Sequence, residues 1–177
     1  KFIRYNITLK LKNMADSTIE WTTKTWNPTT GCTKISQECK FCYAETLTNR
    51  YMKNPKQEKY RQGFGVFVMH EDALNDPLEW KKSETVFVNS MSDLFHEKIT
   101  LDFLKRVFKV MNDTPKHTYQ ILTKRDDILE KYSDELEWTD NIWMGISVGE
   151  AKSVDKIKSL ASCGAKHKFL SVEPLIE

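Results

Sequence analysis

The sequence is poor in the residues that punctuate or staple a chain: its 177 residues include only six glycines, five prolines and four cysteines. So few glycines and prolines exclude collagen, and 40% hydrophobic with 11% aromatic residues exclude a disordered chain. There is no heptad pattern, no repeat at solenoid period and no low-complexity tract. The longest apolar run, around residues 63–69, falls far short of the about 20 residues that span a bilayer. The N-terminus has basic residues but no apolar signal-peptide core. A polybasic stretch is also missing. The net charge of +2 depends on Lys1, Arg4, Lys10 and Lys12, which precede the first acid and leave 23 basic against 25 acidic residues. These absences point to a cytoplasmic protein with no membrane association, long enough to bury a core.

Both ends carry expectations. Met14-Ala15-Asp16-Ser17 reads as an ordinary start, so residues 1–16 are expected to be an upstream extension or a disordered arm, and 17–177 a single domain. The chain stops at Pro174-Leu175-Ile176-Glu177, directly after a strand-like run. The domain is therefore expected to be C-terminally truncated, with an open sheet edge that makes it poorly soluble.

What is present is a strand-helix rhythm. Short β-branched and aromatic runs occur at residues 86–88, 119–122, 142–148 and 169–172. Between them, Leu101, Leu104, Phe108 and Met111 recur at helical spacing after Thr100, as do Ile128, Leu129, Tyr132 and Leu136 after Asp126 and Asp127. Val154, Ile157, Leu160 and Ala161 form a third set that stops at Gly164. This alternation predicts an α/β fold of parallel βα repeats in a curved, barrel-like sheet. Upstream, residues 19–26 alternate like a strand, 42–53 read as a short helix, 54–62 as a polar connection, and 66–68 as a further strand or part of an insertion.

Parallel α/β proteins place their chemistry beyond the C-terminal ends of the strands. Those positions are polar after every run: Asn89, Ser90, Ser92 and Asp93; Thr123, Lys124 and Arg125; Ser147 and Glu150; and Glu173. Ordinary caps and turns would account for some of them.

Three of the four cysteines, Cys32, Cys39 and Cys42, fall in one loop after the first strand-like segment. An odd count in a cytoplasmic chain disfavours disulfides, and a Cys39/Cys42 redox pair leaves Cys32 idle. Metal remains. Structural zinc wants four ligands. Cys163, His117 and His167 fall on the wrong side of the sheet, whereas His70 and His96 fall on the right side, so a Cys3His zinc site stays open. Three thiolates on a four-iron four-sulfur cluster, with one iron left for another ligand, need no further residue.

The stretches Ile19-Glu20-Trp21-Thr22, Thr25-Trp26-Asn27-Pro28-Thr29-Thr30-Gly31-Cys32 and Cys39-Lys40-Phe41-Cys42-Tyr43-Ala44-Glu45 resemble the opening of a bacteriophage and prophage protein family of unknown function. The resemblance continues through Asn89-Ser90-Met91-Ser92-Asp93-Leu94-Phe95-His96, Leu122-Thr123-Lys124-Arg125, Trp143-Met144-Gly145-Ile146-Ser147-Val148 and Leu170-Ser171-Val172-Glu173-Pro174-Leu175. That family is in turn similar to radical S-adenosylmethionine enzymes, whose cluster loop follows the first strand of a partial TIM barrel and carries an aromatic residue before its last cysteine, as Phe41 precedes Cys42 here. The six residues between Cys32 and Cys39 exceed the usual three.

The resemblance implies a 4Fe-4S cluster on Cys32, Cys39 and Cys42 whose open iron chelates S-adenosylmethionine. It implies reductive cleavage to a 5'-deoxyadenosyl radical, an electron donor such as a flavodoxin or ferredoxin, and an unknown substrate, a nucleotide derivative being one option. Phe41, Asn89, Ser90, Ser92 and Asp93 then become candidates for the cofactor's amino group and nucleoside. Ser147, Glu150 and Glu173 become candidates for its ribose or methionine, and Lys124 and Arg125 for a carboxylate or a substrate phosphate. Trp21, Trp26 and Trp143 are expected to fill the core. Two rival readings stand beside the enzyme. One is a non-catalytic zinc or iron-sulfur module serving nucleic acid or a phage or host protein. The other is a nucleic-acid binder using Lys34, Lys40, Arg50, Lys53 and Lys56.

Overall fold

The computed structural model describes residues 19–176, and the expected N-terminal arm, residues 1–16, lies outside them. Its centre is a five-stranded sheet with every neighbouring pair parallel. Strand β1 (Lys24–Trp26) leads to a short antiparallel pair, β2 (Thr29–Thr30) with β3 (Val68–Met69). Between these lies helix α1 (Tyr43–Tyr51). Then follow β4 (Thr85–Val88), α2 (Leu101–Asp113), β5 (Thr118–Thr123), α3 (Asp126–Tyr132), β6 (Ile142–Ser147), α4 (Ile157–Ser162) and β7 (His167–Ser171). The sheet order β1-β4-β5-β6-β7 follows the chain, as successive βα units of a partial barrel should.

The main core lies between the sheet and helices α2, α3 and α4. Trp26, Val86, Val88, Tyr119, Ile121, Ile142, Met144 and Ile146 point to that side, because alternate residues of a strand share a face. Helix α2 answers with Phe103, Leu104, Val107, Phe108 and Met111, all fully covered. Its start is fixed by Thr100, whose hydroxyl accepts the Phe103 N–H at 3.3 Å. The buried Trp26 indole donates to the Ala73 carbonyl at 2.7 Å, which satisfies its one polar atom.

The α/β class and parallel repeats match the sequence reading, with several local differences. Only Lys24–Trp26 of the first expected strand pairs, because residues 19–23 turn across the end of the sheet. Leu136 is buried beyond α3, after a separate 3-10 turn over Ser133–Glu135. Val154 stands exposed on another such turn, Ala151–Lys156, ahead of α4. Of the three tryptophans expected inside, only Trp26 is; Trp21 and Trp143 are 48% and 37% exposed. Both lie on the opposite, inner side of the sheet, which no helix among the described residues covers.

Candidate functional site

A cavity of about 640 Å3 opens at the C-terminal ends of the strands. One wall is the loop from β2 to α1, carrying Cys32, Cys39 and Cys42; the others come from the ends of β4, β5, β6 and β7.

Gly31 sets where the loop leaves β2. Its φ of +78° is a left-handed conformation, and a Cβ there would collide with the Val66 carbonyl, so no other residue fits. Three hydrogen bonds moor this end: Gly31 N–H to Met91 O at 3.3 Å, Ser92 Oγ to Gly31 O at 2.6 Å, and Cys32 N–H to Phe64 O at 2.7 Å. Cys42 occupies the N-cap of the nine-residue α1, which fixes the direction in which the loop enters the helix. Tyr43 Oη donates to Ser90 O at 2.6 Å and moors the far end of the loop.

Two buried charged side chains hold the middle. Arg125, 4% exposed, donates to the Thr33 carbonyl at 3.0 Å, to Thr33 Oγ1 at 2.7 Å and to Glu97 Oε2 at 2.9 Å. Glu38, also 4% exposed, accepts the Gly149 N–H at 2.5 Å and the Ser153 hydroxyl at 2.6 Å through Oε1. Burial pushes its carboxyl upward, but these bonds, with Lys156 and Lys124 nearby, leave it below the ordinary carboxylate value. The loop is thus clamped to the end of β5 at one point and to the segment after β6 at another.

The polar residues read from the strand ends assemble here, though many are already bonded to the protein. Asn89, at a left-handed φ of 61°, donates to Thr29 Oγ1 at 2.8 Å. Ser90 Oγ donates to Asn27 Oδ1 at 3.2 Å. Asp93 accepts from Thr123 Oγ1 at 2.7 Å and from the Lys124 N–H at 3.1 Å. Lys124 Nζ donates to Ser147 Oγ at 3.1 Å. Ser171 and Glu173 line the wall, and Phe41, 89% exposed, stands at the mouth. Glu150 is not in the cavity wall; its Oε2 pairs with Lys152 at 3.2 Å and its buried Oε1 has no partner. Glu38 and Tyr43 take part without having been singled out in the sequence.

The donor chemistry suits a cluster better than a single ion. Among the described residues no three His, Cys, Asp or Glu side chains stand in the arrangement one metal ion requires. The two histidines left open for zinc already have ring-nitrogen partners, His96 Nε2 meeting Thr33 Oγ1 of the cysteine loop at 3.2 Å. His70 Nε2 bonds Thr30 Oγ1 at 2.7 Å, and His96 stacks on Phe67 while its Nδ1 accepts the Lys98 N–H at 3.1 Å. Neither lines the cavity, and Cys163 is buried at the end of α4. Three thiols spread around one cavity instead fit a polynuclear centre, in which each sulfur meets a different iron. Burial, with Asp93 adding and Arg125 opposing, pushes the Cys32 thiol up to about 11, so ligation there must displace a proton.

The chain belongs to a family described only as a protein of unknown function (DUF5131), which it matches over residues 16–177. No curated protein matches it. Its fold is similar to that of a spore photoproduct lyase double mutant with bound AdoMet and dinucleoside spore photoproduct: TM-score 0.58 at 14% identity, covering 92% of this chain and 49% of that one. A cysteine-to-serine mutant of spore photoproduct lyase gives a TM-score of 0.57 at 14% identity, covering 90% of this chain and 48% of that one. The chain thus spans about half the length of these structures, and the likeness at this identity establishes the fold.

Replacing Arg125 by Lys removes the planar fork that holds Thr33 and Glu97 together. A loss of about 2–4 kcal/mol in urea unfolding is expected, with faster amide exchange over residues 32–42. Unchanged exchange in the loop would remove Arg125 as its clamp. A second expectation concerns pH. Burial, then the cations Arg125 for His96 and Lys59 for His70, pushes both imidazoles down to about 4. The unfolded chain, at the ordinary value near 6.5, binds protons first, so stability is complete above pH 6.5 and falls as pH drops toward 4. Unfolding free energies from urea titrations at pH 6.5 and 5 should differ by up to about 2 kcal/mol for the fully buried His96, a difference that His96→Gln reduces.

Proposed function

We propose that this DUF5131 member is an iron-sulfur enzyme of the radical S-adenosylmethionine type. One observation carries the reading: three thiols on a doubly clamped loop face a cavity whose remaining walls are the polar C-terminal ends of four parallel strands. Cys32, Cys39 and Cys42 are the residues that would hold a 4Fe-4S cluster. When bound, such a cluster would supply one electron to the sulfonium of S-adenosylmethionine, whose C5'–S bond would break into methionine and a 5'-deoxyadenosyl radical able to take a hydrogen atom from the substrate.

The chain's own groups bind and orient. Lys124, held by Ser147 Oγ, is placed for a carboxylate or a phosphate, and Ser171 and Glu173 for hydroxyl or amino groups. Asn89, Ser90, Ser92 and Asp93 keep the loop in register with β4 and β5, and Phe41 offers a ring at the mouth. Trp21 and Phe87, edge to face at 4.9 Å, form an apolar floor. A small reduced electron carrier, a flavodoxin or ferredoxin, is the partner this chemistry requires, and its reducing conditions place it in the cytoplasm. No helix among the described residues is long and apolar enough to cross a membrane. The substrate in this reading is nucleotide-derived, the class that the dinucleoside ligand of the similar structure suggests.

Anaerobic purification with iron and sulfide should yield about four of each per chain. Under dithionite the loaded protein should release 5'-deoxyadenosine from S-adenosylmethionine. Both properties should vanish when Cys32, Cys39 and Cys42 are changed to alanine. Zinc as the sole metal, retained by the same cysteines, would replace the enzyme with a metal-stabilised module.

A further inference from the structure

The inner face of the sheet has a composition of its own. One register row crosses all five strands: Thr25, Phe87, Gln120, Trp143 and His167. The next row toward the cysteines runs Leu122, Gly145 and Phe169, and a Cβ at Gly145 would meet the Phe169 ring, so the missing side chain leaves room for that ring across the face. Phe87 of this row lines the cysteine cavity together with Leu122 and Trp21, so the row borders the cavity floor, with Gln120 and Trp143 just outside the lining.

Three features of the row lack a structural purpose. Trp143 is 37% exposed with its indole tilted over His167 at 5.0 Å, and Trp21 is 48% exposed with its edge against Phe87 at 4.9 Å. Between these aromatic pairs lies Gln120, whose Oε1 is buried and has no hydrogen-bond partner. A buried amide oxygen without a donor is costly in a finished interior, whereas the buried polar Thr123 on the other side of the same strand donates to Asp93 at 2.7 Å. An amide presents an acceptor and donors side by side. Flanked by rings, it matches a flat heteroaromatic edge that also carries a donor beside an acceptor, the pairing Gln makes with adenine. Lys124 follows directly after β5, on the side of Gln120 that leads to the cavity, and its Nζ reaches Ser147 Oγ in the cavity wall at 3.1 Å, which sets a cation beyond the amide in the direction a nucleotide's phosphate would extend.

We propose that Gln120, between Phe87 and Trp143, is the base-reading centre of a nucleotide subsite on the inner face of the sheet, with Lys124 facing the phosphate. This rests on the enzyme reading only in making the nucleotide the substrate; the binding itself needs no cluster. Gln120 is a binding residue here.

Calorimetric titration of the purified chain with adenosine 5'-monophosphate and thymidine 5'-monophosphate tests it, alongside S-adenosylmethionine titrated into the iron-loaded chain. At least one nucleotide should bind saturably. Gln120→Leu, which keeps size and removes the polar edge, should weaken it at least tenfold; Trp143→Ala should do the same, with Trp143→Phe recovering most of the loss. S-adenosylmethionine affinity should not change in Gln120→Leu. A loss of cofactor affinity in that variant would overturn the proposal, because the row would then hold the cofactor's own adenine. Failure of both nucleotides to bind would also overturn it, while leaving the enzyme reading standing if S-adenosylmethionine still binds. Gln120-dependent nucleotide binding without any for S-adenosylmethionine would uphold the subsite and remove the radical chemistry.

Discussion

The site depends on two buried side chains of opposite charge. Arg125 leaves water to bond the cysteine loop, and Glu38, within that loop's one 3-10 turn at Gln37–Cys39, leaves water to bond the segment after β6. Such burial is tolerated only where every polar atom finds a partner. The guanidinium bonds Thr33 and Glu97, and the carboxylate accepts from Gly149 and Ser153 through Oε1 and from Ser36 through Oε2. The Thr33 and Gly149 bonds span 92 and 111 residues of sequence, so the position of the thiols is fixed by the whole sheet. Removing either partner would leave an uncompensated buried charge, which makes the loop's geometry all or none.

The fold supplies the second constraint. Helices α2, α3 and α4 cover one face of the sheet, and their packing needs the even-numbered positions of β4, Val86 and Val88, with Tyr119 and Ile121 of β5 and Ile142, Met144 and Ile146 of β6. The alternate positions are thereby left to the inner face, where Phe87 and Leu122 form cavity floor and Ser147 and Ser171 form cavity wall. Packing on one side and binding on the other follow from the two-residue period of a strand.

Much of this was legible in the sequence, and for physical reasons. Helix α2 announces itself through Leu101, Leu104, Phe108 and Met111 and the Thr100 cap, since a 3.6-residue period and a capping hydroxyl are local signals. The three-cysteine loop and the polar strand ends were legible because parallel α/β topology brings those ends together. Glu38 was not, because its partners are remote in sequence and a lone acid beside cysteines has no pattern. The tryptophans misled for a related reason: strands of a partial barrel carry apolar residues on both faces, so hydrophobicity cannot tell the covered face of Trp26 from the inner face of Trp143. Glu150 follows β6 as an acid should, yet its side chain turns to Lys152 instead of the cavity.

The central claim is an iron centre with a coordination position that the protein leaves free, and one spectroscopic comparison addresses it most directly. The dithionite-reduced, iron-loaded chain should give an electron spin resonance signal of a reduced four-iron cluster whose g values shift when S-adenosylmethionine is added. A signal identical with and without the cofactor would mean that all the irons are fully ligated, and would contradict the account.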